Sequence, residues 1–442
     1  MADMANPAAE PETAPRHYVS TTQAAFIGVG AMVGAGIFSL LGAAGAVAGS
    51  AVWISFALAG VIAALQGYSF AKLGAKFPSA GGMLEYINQS FGFGHVATVS
   101  AWLGYSVNAI ITAMVAVSFG SYASSIFTNS DPNWVKIFAV LVVVATTLLN
   151  IAGSTVVARV QSLIVFVVVG ILALFAVVTI VNINWSLGYL APASYPSIQN
   201  IISSVALTFF AFLGFGVVTF TAKDLARPSR QLPRAITIAI GIAAVIYIAV
   251  AIGVFGTLPV ADVIKYGATA IAEAARPVLG NVGFLLMAIT ALFATTGATN
   301  AGLYPMPGIA SHLVGTGQFP PFMARNLWSR VSVGLLVASI ATILMVVLLN
   351  LNSIASLGSA VALAVFSLIS LGHLRIRSET SARLSLLIAG LITALIALVT
   401  FVFTSLVQEP ASIVTLILIV VAAVIFDLLW SHPKAHAVPE TG

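Results

Sequence analysis

The sequence predicts an all-α, polytopic membrane protein with twelve transmembrane helices. Three observations carry that expectation: 60% of the 442 residues are hydrophobic, only 7% are charged, and apolar runs of about twenty residues recur along the whole chain. A soluble domain carries roughly 25% charged residues, so a globule in water is excluded. The recurrence also excludes a signal peptide as the source of the apolar residues, since such a peptide has one short apolar core. The lack of cysteine removes disulfides, thiolate metal sites and cysteine nucleophiles. A net charge of +5 comes from seventeen Lys and Arg that scatter at span ends, without the contiguous basic patch of a nucleic-acid module. No nucleic-acid partner is expected, and the charge reads as a topology signal.

Residues 1–19 are rich in Ala, Pro and Glu with little to bury, so a disordered cytoplasmic tail is expected there. A single transmembrane domain is placed over 20–433, with spans near 22–48, 51–72, 95–127, 134–152, 155–181, 199–225, 232–257, 281–311, 331–350, 355–375, 384–406 and 411–430. A second cytoplasmic tail is expected over 434–442. This threading puts Arg16, Lys72, Lys76, Arg159, Lys223, Arg227, Arg230, Arg234, Arg325, Arg330, Arg375, Arg377, Arg383 and Lys434 on the side shared by both termini. The other side receives Lys136, Lys265 and Arg276. Fourteen against three places both termini in the cytoplasm, with the chain in the cytoplasmic membrane. An odd number of spans would shuffle these residues between sides, so the asymmetry also supports twelve.

The stretch "GVGAMVGAGIF" sets four glycines, at 28, 30, 34 and 36, inside the first span. Glycine costs about 1 kcal/mol relative to alanine in a helix interior, and in lipid any backbone group freed by a break needs a partner inside the protein. The sixth span repeats the feature in "FFAFLGFG", with Gly214 and Gly216 in its middle, 180 residues after Gly34. Each interruption heads a block of five spans. Paired interrupted segments in two halves point to an inverted-repeat transporter whose substrate sits where the broken helices meet. Close helix packing through small-xxx-small patterns is the competing reading of the same glycines, and the pairing across halves favours a cavity.

The chain resembles members of the amino acid–polyamine–organocation (APC) superfamily in "GVGAMVGAGIF", in "FFAFLGFGVVTFTAKDLARPSRQLPRAI" from Phe209 to Ile236, in "ALFATTGATNAGLYP" from Ala291 to Pro305 and, more weakly, in "PSAGGMLEY" from Pro78 to Tyr86. The broken helix running into an Arg-Pro-x-Arg-x-x-Pro-Arg turn is the most specific of these. The resemblance implies a five-plus-five inverted repeat with broken first and sixth helices, a first repeat over about 22–181, a second over about 199–375, and two peripheral helices over about 384–430. It further implies alternating access to a central amino-acid site.

An α-amino acid brings a carboxylate and an ammonium, and a dry site must neutralise both without expensive side-chain charges. Free N–H groups at the start of a half-helix suit the carboxylate, and exposed carbonyls at the end of the preceding half-helix suit the ammonium. By resemblance, Gly34, Ala35 and Gly36 form the carboxylate loop, with Ala35 offering only backbone where many relatives have serine. In the sixth span, the carbonyls of Phe210, Ala211 and Leu213 match the positions facing the amine, next to Gly214, and Phe210 or Phe212 is the expected aromatic gate. Most of the 26 phenylalanines must instead face lipid or core. Gly216 stands where some relatives carry an acid, so a cationic side chain would lack a counter-ion, and a neutral amino acid is the expected substrate.

No organic cofactor is expected; Na⁺ and H⁺ are the candidate coupling ions, and exchange versus symport is left open. Many sodium-independent relatives carry a lysine in the fifth span where Val168 stands here. Thr295 and Thr296 could join the carbonyls of Gly30 and Val33 around Na⁺, for which oxygen ligands are suited. Threonine in membrane helices more often bonds to the carbonyl one turn back. Asn108 and Asn300 are further mid-membrane polar groups, read either as substrate contacts or as interhelical hydrogen bonds. Glu85 reads as an inner-gate contact or a solvated loop charge, and the run Lys223, Asp224, Arg227, Arg230 and Arg234 as a surface anchor. Pro305 and Pro307 should end or kink the eighth span near Tyr304.

An enzyme is disfavoured: no HExxH, GxSxG or P-loop is present, and the histidines at 17, 95, 312, 373, 432 and 436 show no metal-ligand spacing. A channel, a non-transporting receptor of the same fold, or a carrier of another small organic solute such as an amine are the rivals to an amino-acid permease. The sequence leaves the oligomeric state open.

Overall fold

The computed structural model describes residues 18–79, 81–152, 155–184, 188–327, 331–404 and 410–430. Residues 1–17 of the tail expected over 1–19, the tail expected over 434–442, and with them Arg16, Lys434 and also Arg330, lie outside the described residues. At the head of the described chain, the Val19 N–H donates to the Asp224 carbonyl at 2.8 Å. Ser20 then caps the first helix: its hydroxyl accepts from the Gln23 N–H at 3.2 Å while its own N–H donates to Gln23 Oε1 at 2.9 Å.

The chain runs through α1 (Thr21–Ala35), α2 (Ile37–Ala48), α3 (Val52–Lys76), α4 (Met83–Phe91), α5 (His95–Phe127), α6 (Pro132–Ala152), α7 (Thr155–Val181) and α8 (Ile198–Phe210). A 3₁₀ segment, Leu213–Asp224, continues α8. There follow α9 (Pro228–Thr257), α10 (Val260–Tyr266), α11 (Ala270–Leu303), α12 (Met306–Gly315), α13 (Val333–Leu348), α14 (Leu351–Arg375), α15 (Arg377–Thr380), α16 (Leu384–Thr404) and α17 (Pro410–Trp430). Among the described residues ten helical stretches are long and apolar enough to cross a membrane, and α1 and α13 are shorter apolar helices. Large apolar side chains point outward from the peripheral helices, among them Leu148 on α6, Phe166 and Leu174 on α7, Phe403 on α16 and Leu428 on α17. In water such faces would need covering; in lipid they are the solvent-facing surface.

At the centre lies α1, and its glycines explain why. A Cβ on Gly28 would press on Val218 of the 3₁₀ segment and Ala239 of α9, one on Gly30 would fall on Val165 of α7, and one on Gly34 would strike the Ala294 carbonyl and Ala298 of α11. Lipid tails are as apolar as leucine, so helices associate here by close van der Waals packing, which small residues permit. The packing reading therefore holds for these three glycines, and Gly36 alone of the four sits at the break. Gly214, expected in the second interruption, likewise packs: a Cβ there would lie 2.6 Å from the Ala31 carbonyl carbon and collide with the Met32 nitrogen.

The expected start of the eighth span near 281 coincides with a kink: α11 leaves helical geometry at Gly280, where φ is 65° and ψ −157°, and an additional helical stretch from Ala270 to Leu279, carrying a Glu273–Arg276 pair at 2.8 Å, precedes it. The nine-residue α4 stands where a loop was expected. The other end of α11 follows the prolines: it stops at Leu303, and Pro305 precedes the separate α12.

Gly214 and Gly241 give a paired test of the packing. Gly214→Ala should destabilise the purified protein by about 1–3 kcal/mol through backbone overlap, while Gly241→Ala, with nothing within 4 Å of its Cβ, should be neutral or stabilising by up to about 1 kcal/mol. Thermal unfolding in detergent reads both; equal shifts would contradict the central placement of α1.

Candidate functional site

The first interruption is one residue long. α1 ends at Ala35 and α2 begins at Ile37, with Gly36 between them at φ −92° and ψ −83°. The Gly36 N–H still donates to the Met32 carbonyl at 2.6 Å, and the Gly36 carbonyl accepts from the Leu40 N–H at 2.9 Å. Between those two bonds the helical ladder stops, leaving the last carbonyls of α1 and the first N–H groups of α2 without helical partners. A serine hydroxyl covers part of the shortfall: Ser39 donates to the Gly34 carbonyl at 3.4 Å. Ser118 of α5 ties the start of α2 to its neighbour by donating to the Phe38 carbonyl at 3.3 Å.

The second interruption falls at Ala211 and Phe212, between α8 and the 3₁₀ segment, slightly ahead of the glycines that announced it. The N–H groups of Ala211 and Phe212 turn onto the Thr208 and Phe209 carbonyls at 3.2 and 2.9 Å. The Ala211 carbonyl leaves the ladder and accepts from the Tyr247 hydroxyl of α9 at 3.0 Å. The two interruptions adjoin: a Cβ on Gly36 would lie 2.7 Å from the Ala211 oxygen and collide with the Tyr247 hydroxyl. Glycine is required at 36 by this approach. Tyr247 is fully buried, with its ring against Phe56 of α3 at 5.5 Å and Phe212 at 5.0 Å between centroids. Sequence reasoning missed Tyr247, though it is the single polar side chain between Thr237 and Thr257.

Around this contact the expected residues divide. Gly36, Ala211 and Phe212 come together; Phe210 turns its ring toward Gly358 of α14 and Ile110 of α5. Ala35 and Leu213 are buried beside the breaks. Below the second break, Phe215 meets Phe70 of α3 at 5.3 Å and Phe366 of α14 at 5.5 Å, and Phe70 meets Tyr86 of α4 at 6.0 Å. The missing side chain of Gly216 faces this aromatic cluster, with Met83 Sδ at 3.4 Å and Phe366 at 3.7 Å from a Cβ there.

Asn108 donates to the Gly104 carbonyl of its own helix at 3.1 Å. Asn300 accepts from Asn150 of α6 at 2.9 Å, an interhelical bond. Gly30 and Val33 line a small apolar cavity with Val165, Val168, Phe293 and Gly297. Thr295 and Thr296 turn their hydroxyls to their own helix, donating to the Ala291 and Leu292 carbonyls at 2.6 and 2.7 Å.

Outside the spans, Glu85 of α4 is not a solvated loop charge. Its side chain is 12% exposed and lies 3.0 Å from His312 Nε2 of α12. Gln89 donates to its other oxygen at 2.6 Å. Burial, the largest influence, favours the neutral acid, but the hydrogen bonds from His312, Gln89 and Asn88 and the attraction of His312 together outweigh it and hold the carboxyl below its ordinary range. Beside this pair, Gln318 donates to Asn88 at 2.7 Å. The short helix α4 after α3 is thus clasped to α12, the helix that follows α11.

These features define a multi-pass helical membrane protein organised about two adjoining interrupted helices, the form of a permease. The chain belongs to the amino acid permease family of the APC superfamily, whose model matches residues 19–426. It is 32% identical over 382 residues to the inner membrane transport protein YbaT of Escherichia coli, covering 86% of this chain and 88% of that one. It is 26% identical to the methylthioribose transporter of Bacillus subtilis, over 80% of this chain and 79% of the relative. The vacuolar cationic amino acid transporter 4 of Arabidopsis thaliana is 29% identical, over 76% and 60%. The protein is therefore a membrane transporter with a small-molecule substrate.

Because the Glu85 carboxyl is held low, its contribution to stability is fully present above the ordinary carboxylate range and is lost as pH falls through the lowered value. Melting temperature should accordingly fall more steeply in acid for the wild type than for Glu85→Gln, which has no such group to protonate. Parallel acid limbs would remove the clasp.

Proposed function

We propose that this permease moves neutral amino acids across the cytoplasmic membrane by alternating access, with both termini in the cytoplasm. In this reading α1 with α2 count as one interrupted span and α13 as another, which makes twelve, and the two interruptions head two inverted five-span repeats followed by α16 and α17; the element order is compatible with it. The observation that carries the reading is the junction of Gly36 with Ala211, where two interrupted backbones meet around one tyrosine hydroxyl. An amino-acid ammonium offered to the Ala211 carbonyl replaces a neutral hydrogen bond by a charge-assisted one, roughly twice as strong. The N–H groups opening α2 stand across the junction for the carboxylate. Among the described residues the groups at the junction are backbone, phenylalanine and tyrosine, with no carboxylate to balance a cationic side chain. The aromatic cluster of Phe70, Phe215 and Phe366 serves in this reading as the inner barrier.

Coupling to sodium is not part of the proposal, because the cavity beside Gly30 and Val33 is apolar; the Thr295 and Thr296 hydroxyls donate within α11, which leaves their lone pairs as the only groups they could offer a cation. Initial uptake rates should be unchanged when choline replaces Na⁺ at fixed pH; a large fall would restore the cation site.

The deciding experiment is competition of unlabelled amino acids, amines and a thioribose against a transported substrate in proteoliposomes. Neutral amino acids should compete best; arginine, lysine, polyamines or the sugar competing best would contradict the substrate assignment. Gly36→Val should abolish uptake while the protein still inserts. Tyr247→Phe removes about 1 kcal/mol of competing hydrogen bond, so the KM should fall by roughly fivefold, and an unchanged or higher KM would place Tyr247 outside the site.

A further inference from the structure

We propose that the groove between α3 and α9 is a binding site for one anionic phospholipid, its phosphate held by Lys72 and Lys76 and an acyl chain lying along the small-residue floor beyond them. The groove has a volume of about 640 Å³ and is mainly apolar. Gly60, Ala64 and Gly67 of α3 face Gly241 and Ala244 of α9 along it, and Ala64 and Gly241 are exposed. From Gly60 to Lys76 a helix rises about 24 Å. Half a bilayer, from midplane to the headgroup region, is about 20–22 Å. The groove therefore spans one leaflet, and a bilayer fills such a furrow with lipid.

Headgroup choice is set at one end. Lys72 is half-buried, Lys76 is exposed, and neither has an ion-pair partner among the described residues. Glu379 shares the mouth with an exposed carboxylate, leaving one net positive charge, and Ser229 there lies in the first turn of α9, whose dipole adds to it. The Tyr68 hydroxyl accepts from the Arg383 N–H at 2.9 Å, which leaves its proton to donate to a phosphoryl oxygen. Two lysines at an anionic surface give a preference of about tenfold or more over a zwitterionic lipid. The deep end of the groove backs onto the second interruption, since a Cβ on Gly60 would touch the Phe212 ring at 3.6 Å.

The full-length protein in nanodiscs of equal phosphatidylcholine and phosphatidylglycerol, transferred to detergent and weighed by native mass spectrometry, tests the site. The wild type should retain phosphatidylglycerol about tenfold over phosphatidylcholine. Lys72→Gln with Lys76→Gln should lose that preference. Gly241→Leu, whose side chain enters open space, should lose retention of both lipids while its melting temperature is kept. Arg230→Gln with Arg234→Gln, exposed residues outside the groove, should behave as wild type. No preference in the wild type, a preference surviving the lysine changes, retention surviving Gly241→Leu, or an equal loss in the arginine control would each overturn the proposal.

Discussion

A helix that is interrupted inside hydrocarbon must find partners for its freed backbone within the protein, and each group left unsatisfied costs several kcal/mol. That constraint organises the molecule. The break at Gly36 is eased by the Ser39 hydroxyl, which donates to the Gly34 carbonyl, and the break at Ala211 by the hydroxyl of Tyr247. It also fixes the position of α1, which has to be enclosed on all sides. Glycines at 28, 30 and 34 let α7, α9, α11 and the 3₁₀ segment close around it.

The same economy of side-chain bulk distributes rigidity. α1 and the 3₁₀ segment touch backbone to backbone through Gly214, which favours their moving as one body in the proposed cycle. The aromatic cluster proposed as the inner barrier draws its rings from α3, α14 and the 3₁₀ segment, so in the proposed cycle a displacement of that body would open it. Further toward the side carrying most of the basic residues, the Glu85 and His312 pair joins α4 to α12. Those two short helices follow α3 and α11 respectively, which lets the clasp report on both halves of the chain.

Much of the fold was legible. Apolar runs over 95–127 and 155–181 match α5 and α7 residue for residue, and Pro305 and Pro307 marked the end of α11. The interruptions were legible as regions but not as residues. A glycine row reads the same whether it breaks a helix or lets a neighbour approach, and here Gly34 and Gly214 approach while Gly36 and Ala211 break. Tyr247 and His312 were hidden for another reason: each acts through a partner distant in the chain, Ala211 and Glu85, and single-sequence spacing carries no such distance. α4 escaped because nine residues do not make a span.

The central claim, that substrate binds where the two interruptions meet, is open to direct chemical test because the chain has no cysteine to confuse labelling. Single cysteines at Ala35 and Ala211, with one at exposed Val177 on α7 as a lipid-facing control, can be reacted with a small thiol reagent in membranes. Saturating neutral amino acid should slow labelling at 35 and 211 and leave 177 unchanged. Labelling at 35 and 211 that is indifferent to substrate in a variant still able to transport would contradict the site.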